Sequence, residues 1–309
     1  MVTSNNVLVG IVLYNSDVRR LKDVIDNVLI NFDNICLFDN GSKNMLLIHE
    51  MLDKQYSSKG NLVLLKSKEN RGIAFALNRI FEYAKDNAFD WVLTLDHDTV
   101  IPCNLKSEYL ELCEQGLADV ICPNVIDSEI VNNKWEGDSK KRYEPVVRCI
   151  QSGNLVNVES WEEVGRYDDQ LFVDFVDFDF CKRIELLKKT IYRCNRVVID
   201  HKFGYREKTR FSRVFEKLYK ATGLKIFKYF TYENVFSAQR IYYTFRNNVI
   251  YIRKYERYLN VRKERMMLLR MFVKRVLRSK NRGMILKQAI KGISDGRKIQ
   301  IKKFVIDEE

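Results

Sequence analysis

The chain has 309 residues, 46% hydrophobic and 30% charged, with a formal net charge of +12. That length holds one large domain or two modest ones, and the composition supports a buried core, which excludes a disordered protein. No run approaches the roughly 18 apolar residues of a membrane-spanning helix, and the N-terminus "MVTSNNVLVGIVLYN" lacks the basic start of a secretory signal.

In chain order, "VLVGIVLY" (residues 7–14) is a continuous apolar run, as expected of a strand buried on both faces of a parallel sheet. Residues 18–30 fit a helix. "NICLFDN" (34–40) is a second strand closing on a turn at Asn40-Gly41-Ser42, and "NLVLLKS" (61–67) is a third. Ile73, Ala76, Leu77, Ile80, Phe81 and Ala84 then recur at helical spacing. "DWVLTLDHD" (90–98) reads as a fourth strand and "ADVICPNV" (118–125) as a fifth. This alternation predicts an α/β fold: an open, mostly parallel sheet with flanking helices, whose ligands bind beyond the carboxyl ends of its strands. Residues 127–145 are polar and read as a loop. Shorter strand-like pieces follow, then a helix over about 176–187 with Val176, Phe180, Ile184 and Leu187 on one face.

After "VIDHKFGYR" the texture changes. Residues 211–290 are rich in Lys, Arg, Tyr, Phe and Leu, carry few turn signals and read as several helices. Residues 205–309 hold 28 Lys+Arg against 9 Asp+Glu, a balance of +19, whereas residues 1–204 hold 25 against 32. A basic region of this kind suits a polyanion: phospholipid headgroups, nucleic acid or a phosphorylated substrate. The seven cysteines are dispersed, with no C-x-x-C pair, which fits reduced thiols in a cytoplasmic protein.

The chemistry begins at "WVLTLDHDTV" (91–100). Asp96 and Asp98 follow strand-like residues, and in an extended chain residues i and i+2 point to one side. Two carboxylates so placed repel unless a cation relieves them. A hard divalent ion, Mg²⁺ or Mn²⁺, shared with phosphate oxygens would do so. A polar turn is the plainer alternative for such a pair. The ends of the first three strands also carry polar residues: Tyr14-Asn15, Asp39-Asn40-Gly41-Ser42 and, past the third, Asn70-Arg71-Gly72. Each alone is ordinary loop chemistry; together they would line one rim.

"VGIVLYN", "LFDNGS", "ENRGIAFALN", "TLDHDT", "FVDFVDFDFCKR" and "DHKFG", in this order, resemble family-2 glycosyltransferases, and more narrowly the bacterial rhamnosyltransferase branch. The resemblance runs from about Val7 to Phe203, with an extension at "RIYYTFRNNVIYIRKY" (240–255). It implies a GT-A fold in residues 1–204, with a nucleotide-binding half (1–125) and an acceptor half (126–204), followed by a helical basic region (205–309). It also implies inverting transfer of a sugar from a nucleoside diphosphate to an acceptor hydroxyl in surface polysaccharide synthesis. The donor implied is dTDP-rhamnose, with UDP-sugars for galactofuranosyl, glucosyl or galactosyl transfer as the alternative. The acceptor would be a glycan or lipid-linked glycan, which places the protein in the cytoplasm, peripheral to the inner face of the membrane, with its basic region on anionic lipid.

By the same resemblance Leu13, Tyr14, Asn15 and Asp39 hold the base and ribose. Asn70-Arg71-Gly72 is similar to the turn that closes over the nucleotide, Gly72 permitting close backbone approach; Arg71 would add charge near the diphosphate or stay solvated. Asn78 on the next helix would reach the nucleotide or remain a helix-surface residue. Asp96 would meet ribose or metal, and Asp98 would ligate metal directly. His201 matches the family's late metal-binding histidine, and imidazole and carboxylate both suit Mn²⁺. His97 and His49 have no such match. Inverting transfer needs a base facing away from the leaving diphosphate. Of Asp174, Asp177 and Asp179, Asp177 matches the family's catalytic carboxylate and falls in the first turn of its helix. Asp179 would orient the acceptor or bind a backbone donor, and Trp161 would stack on an acceptor sugar or pack in the core.

Two rivals compete. "LDHDTV" also resembles the D-x-D-x-T/V motif of haloacid dehalogenase phosphatases, whose first Asp is a nucleophile; that motif ends the first strand of its domain, whereas three strand–helix units precede it here. The +19 region invites a nucleic-acid-binding reading, but no helix-turn-helix, RRM or zinc-finger signature accompanies it, and no nucleic-acid partner is expected.

Overall fold

A computed structural model describes residues 6–57, 61–126, 141–200, 205–209 and 211–306. The chain forms two compact units, Met1–Phe172 with Val176–His201, and Val173–Phe175 with Lys202–Glu309.

The first unit opens with β1 (Val7–Leu13), α1 (Val18–Leu29), β2 (Asn34–Asn40), α2 (Met45–Tyr56), β3 (Asn61–Ser67), α3 (Ile73–Asp86) and β4 (Trp91–Asp96). There follow α4 (Leu105–Glu114), β5 (Val120–Ile126), β6 (Tyr143–Pro145), β7 (Asn154–Asn157), α5 (Val158–Glu163), α6 (Val176–Leu186) and β8 (Ile191–Asp200). The strands make one sheet in the order β3-β2-β1-β4-β7-β5-β8-β6. β1 pairs in parallel with β2 and β4, β2 with β3, and β5 with β8. β7 is inserted antiparallel between β4 and β5, and β6 runs antiparallel at the edge.

β1 is buried along its whole length because helices cover both of its faces. Val7, Val9, Ile11 and Leu13 enter a core shared with Leu21, Val24, Ile25 and Val28 of α1, Ile48 and Leu52 of α2, and Leu105 and Tyr109 of α4. On the opposite face, a Cβ at Gly10 would stand 2.6 Å from Ile80 Cγ2, so the missing side chain is what lets α3 approach the sheet. α1 starts where Asp17 accepts from the Arg20 backbone N–H at 2.8 Å. Its four fully buried aliphatic residues contribute roughly 6–12 kcal/mol of transfer free energy, an upper bound.

The second unit contains β9 (Tyr205–Lys208), α7 (Ser212–Thr222), α8 (Lys225–Tyr229), β10 (Tyr232–Val235), α9 (Ala238–Lys254), α10 (Val261–Arg278) and α11 (Arg282–Lys298). An all-helical reading of residues 211–290 is corrected by β10, which pairs antiparallel with β9 from Tyr232↔Lys208 to Val235↔Tyr205. The core of this unit is Ile241, Phe245, Ile285 and Ala289, with Leu268 and Phe272 of α10 packed against it. α11 lies on the backbone of α9: a Cβ at Gly296 would stand 2.6 Å from the Arg246 carbonyl oxygen. Arg253 locks the end of α11 by donating to the carbonyls of Gly296 (2.6 Å) and Ile299 (2.9 Å). Met266, Leu269, Val273 and Leu277 form an exposed apolar stripe on α10, and Phe211, Val214 and Leu218 form another along α7. Among the described residues, no helix is long and apolar enough to cross a membrane.

Candidate active site

The parallel register brings the carboxyl ends of four strands level. Leu13 pairs with Asp39, Asn40 with Ser67, and Val12 with Asp96. Asp39 and Asp96 therefore stand on either side of β1 at one edge of the sheet, where an open α/β fold places its ligands. The Leu13 side chain is in the core, so what this residue can offer a ligand is backbone. Tyr14 is exposed. Asn15 adopts φ 51°, a left-handed conformation that Asn tolerates better than most residues. Its backbone N–H donates to Ser42 Oγ (2.9 Å), and its Oδ1 accepts from the Lys43 N–H (2.9 Å). Asp39 is buried and accepts from the Ser42 N–H at 3.2 Å.

Asn40 organises the next turn, a role that its place in a simple turn sequence did not announce. Its Nδ2 donates to Asn70 Oδ1 (3.1 Å) and to the Gly72 carbonyl (3.0 Å), while its Oδ1 accepts from the Arg71 N–H (3.0 Å). Asn70 Oδ1 also accepts from the Gly72 N–H at 2.9 Å. Gly72 has φ 90° and ψ 167°, a conformation essentially restricted to glycine. A Cβ there would stand 2.5 Å from the Phe172 carbonyl oxygen, the same oxygen that accepts from the Ile73 N–H at 2.8 Å. The Arg71 guanidinium lies 3.7 Å from the Phe75 ring centroid, so its charge is held over an aromatic face.

At the end of β4 the expectation of an extended Asp96–Asp98 pair is corrected. The strand stops at Asp96, and His97-Asp98 form a turn in which the Thr99 N–H donates to the Asp96 carbonyl at 3.1 Å. The side-chain alternation of an extended chain therefore does not relate the two aspartates; the turn does. It is anchored by Ser152, whose Oγ accepts from the Asp96 N–H (3.0 Å) and pairs with Thr99 Oγ1 (2.8 Å), and by Arg20, which donates to the Asp98 carbonyl (2.9 Å). Asp96 is half-buried and Asp98 exposed. Among the described residues no group of three or more His, Cys, Asp or Glu could hold a metal; His201 lies outside the described residues. A hard divalent ion that keeps waters and phosphate oxygens needs only one or two protein carboxylates, a donor set that Asp96 and Asp98 fit.

Asp177 is half-buried in the first turn of α6, where its Oδ1 accepts from the Phe178 N–H at 2.9 Å. Beside it, Cys149 and Cys181 hold their Sγ atoms 3.5 Å apart. The Cys149 hydrogen bond, then burial, push the Cys181 thiol well above its ordinary value, and the Asp177 charge adds to the effect. Just before α6, Asp174 (φ 62°) and Phe175 (φ 68°) are consecutive non-glycine residues in the left-handed region.

Three expected ligand contacts are corrected by burial. Trp161 is 0% exposed, stacks on Phe81 at a centroid distance of 5.1 Å and donates its indole N–H to Asn78 Oδ1 at 3.1 Å, so it packs in the core. Asn78 is itself buried; its Nδ2 donates to the Tyr167 carbonyl (2.9 Å) and Asp169 (2.8 Å), and its Oδ1 also accepts from the Tyr167 N–H (3.0 Å). Its hydrogen-bonding capacity is fully used within the protein. Asp179 is 0% exposed and paired with Arg183 (2.8 and 3.1 Å), whose Nη1 donates to the Val164 carbonyl (2.5 Å). This is a structural ion pair inside the α/β unit.

Residues 8–196 match the family model "Glycosyl transferase family 2". The chain is 24% identical over 264 residues to the dTDP-rhamnosyl transferase RfbF of Shigella flexneri, covering 81% of each protein. Among solved structures it is similar to S. aureus TarS 1-349 in complex with UDP-GlcNAc (TM-score 0.56, 15% identity, 94% of this chain and 80% of that one). It is also similar to the mannosyltransferase PcManGT of Pyrobaculum calidifontis in complex with GDP-Man and Mn²⁺ (TM-score 0.54, 14% identity, 96% and 76%).

Proposed function

The chain belongs to glycosyl transferase family 2, with a GT-A-type fold and a rhamnosyltransferase-like sequence, and we propose that it transfers rhamnose, with inversion, from dTDP-rhamnose to a hydroxyl of a glycan or lipid-linked glycan in surface polysaccharide synthesis. The observation that carries the reading is the level rim: β1, β2 and β4 end in register, with Asp39 and Asp96 flanking β1 and Asp98 on the turn beyond. The named activity of the Shigella relative supports the donor. The phosphatase reading is set aside, because family membership accounts for the motif and because β4 is the fourth strand of its sheet unit, not the first.

In this reading residues 1–204 are catalytic, 1–125 binding the nucleotide and 126–204 the acceptor. The backbone of Leu13, with Tyr14, Asn15 and Asp39, receives the base and ribose, and Asn70, Arg71 and Gly72 close over the nucleotide. Asp96 and Asp98 would hold Mg²⁺ or Mn²⁺, with His201 as a further ligand. When bound, that ion neutralises the diphosphate as negative charge builds on it. Asp177 accepts the proton of the acceptor hydroxyl as its oxygen bonds to the anomeric carbon and the bond from that carbon to the diphosphate breaks. The products are the glycoside, dTDP and a protonated Asp177.

In this reading the basic region, residues 205–309, would rest on the inner face of the membrane. The exposed apolar stripes of α7 and α10, interleaved with Arg213, Lys217, Arg262, Arg265 and Arg270, support an interfacial site on anionic lipid. Vesicle flotation should rise with anionic lipid content; equal flotation with neutral vesicles would remove this part of the reading.

The decisive experiment is a thermal-shift screen of dTDP-rhamnose against UDP-sugars, with Mn²⁺ or with EDTA, followed by transfer assays. Mn²⁺-dependent stabilisation by dTDP-rhamnose is expected, lost in Asp98→Ala, with turnover lost in Asp177→Asn. A UDP-sugar preference would overturn the donor, and a shift indifferent to Mn²⁺ would overturn the metal.

A further inference from the structure

The turn that carries Asp96 and Asp98 is held at both ends by one hydroxyl. β7 pairs with β4 as far as Thr94↔Asn154. Beyond Thr94 that edge of β4 loses its neighbouring strand, while the other edge continues to Val12↔Asp96. The residues just before β7 supply the missing partners. The Gly153 N–H donates to the Thr94 carbonyl at 2.8 Å, and Thr94 Oγ1 donates to the Gln151 carbonyl at 2.7 Å. Two residues on, the Asp96 N–H donates to a side chain, Ser152 Oγ, at 3.0 Å. The same oxygen pairs with Thr99 Oγ1 at 2.8 Å, where the Thr99 N–H already closes the turn onto the Asp96 carbonyl. Ser152 and Thr99 are each 2% exposed, so these bonds are shielded from water. Ser152 is itself held in place. Tyr109 Oη donates to the Gly153 carbonyl at 2.9 Å. Gly153, at φ 90°, is wedged where a Cβ would stand 2.5 Å from Ile199 Cδ1 and 2.8 Å from Pro123 Cγ. All of these residues lie within the first compact unit.

We propose that Ser152 is a positioning residue for the divalent-ion site: by fastening both ends of the Asp96–Thr99 turn it aims the two carboxylates and so sets the affinity for the ion. This rests on the metal role given to Asp96 and Asp98 above. Asp98 is exposed, and Arg20, which holds its carbonyl, is exposed as well. The water-shielded fastening of the turn comes from the Ser152 hydroxyl. Removing that hydroxyl unfastens the Asp96 N–H and the Thr99 side chain together, on either side of Asp98. Removing the Thr99 hydroxyl unfastens one end. Groups that orient a metal ligand from behind typically change metal affinity by about 10–100-fold when lost. The effect of Ser152 should therefore be visible in ion binding itself and should exceed that of Thr99.

The test uses the full chain with two variants: Ser152→Ala, and Thr99→Val, an isosteric change that leaves the bond to Asp96 in place should the first fail to fold. Binding of Mn²⁺ in the presence of dTDP, or of UDP if the donor screen selects it, is followed by electron paramagnetic resonance of the free ion. Hydrogen exchange of peptides spanning residues 94–102 is compared with that of β1–β3. Ser152→Ala should weaken the Mn²⁺ Kd about tenfold or more, and Thr99→Val by less. Exchange should quicken at residues 96–100 and not in β1–β3. Turnover should fall at limiting Mn²⁺ and recover when Mn²⁺ is in excess. A serine that only stabilises the fold would lower Tm and leave the Mn²⁺ Kd alone. An unchanged Kd in the folded variants, or a turnover loss equal at limiting and excess Mn²⁺, would overturn the proposal. Mn²⁺ binding unaltered by Asp98→Ala would strike the metal reading instead, and exchange at residues 96–100 would then decide the hold on the turn by itself.

Discussion

Replacing Gly72 by Ala tests how the Asn70-Arg71-Gly72 turn is built. The substitution asks an L-residue to adopt φ 90°, ψ 167° and places a Cβ 2.5 Å from the Phe172 carbonyl oxygen and 2.7 Å from Phe172 Cα. Both obstructing atoms are backbone, so no side-chain rotation relieves them. The conformational term costs about 1–3 kcal/mol, and forcing a methyl into occupied space adds about 1–3 kcal/mol. A destabilisation of roughly 2–6 kcal/mol corresponds, at about 2–4 °C per kcal/mol for a unit of this size, to a Tm lower by roughly 5–20 °C. Gly116→Ala is the control: φ is 64° there, but no atom lies within 4 Å of the added carbon, so only the left-handed cost of about 1–2 kcal/mol applies. In differential scanning calorimetry of both variants, the excess loss at Gly72 reports the clash together with its harsher backbone conformation. Equal Tm losses in the two, or a Gly72→Ala loss within 2 °C of zero, would refute the claim that backbone contact with Phe172 requires glycine at this position.

Asp179→Ala should cost about 3–5 kcal/mol in urea unfolding, because it strands the buried Arg183 guanidinium; normal stability with a raised acceptor KM would instead restore a role in acceptor binding. Under native conditions a thiol reagent should label Cys103 rapidly and the buried Cys36, Cys113, Cys122, Cys181 and Cys194 only on unfolding. Cys103→Ser should abolish the fast phase, and burst labelling that survives it would contradict the burial pattern. Burial pushes the Glu108 carboxyl up, but the Arg142 hydrogen bond and charge outweigh it and hold the group below the ordinary 4.5. A group with a lowered folded-state value contributes stability above its unfolded value, and that contribution is lost as pH falls from about 4.5 through the lowered value. Arg142→Ala removes the hydrogen bond and charge that hold the group down, so the variant should be less stable than wild type above about pH 4.5 and the gap should narrow as pH falls; a gap that does not change with pH would show that the pair is without consequence.

The strands were the most legible part of the sequence. β2 and β3 were readable to the residue, because a continuous apolar run between Asn-rich turns permits little else. α2 was not, since Leu46 and Leu47 are exposed while the neighbouring Ile48, Met51 and Leu52 are buried, and apolar residues all round erase the 3.6-residue stripe. α4 hid for a related reason: it buries Glu108, a charge satisfied by Arg142 from a distant segment. The rim residues were readable as types at strand ends, but burial was not. Trp161 and Asp179 have the chemistry of sugar contacts, and only tertiary packing shows that both are enclosed.

The crossed contacts between Asn15, Ser42 and Lys43 carry a practical lesson. Two segments separated by some 27 positions are cross-wired through one side chain in each direction. Whoever wishes to exchange either turn should treat them as a matched set: a graft of one from a relative would arrive without its counterpart, and its failure would report the mismatch rather than the grafted residues themselves.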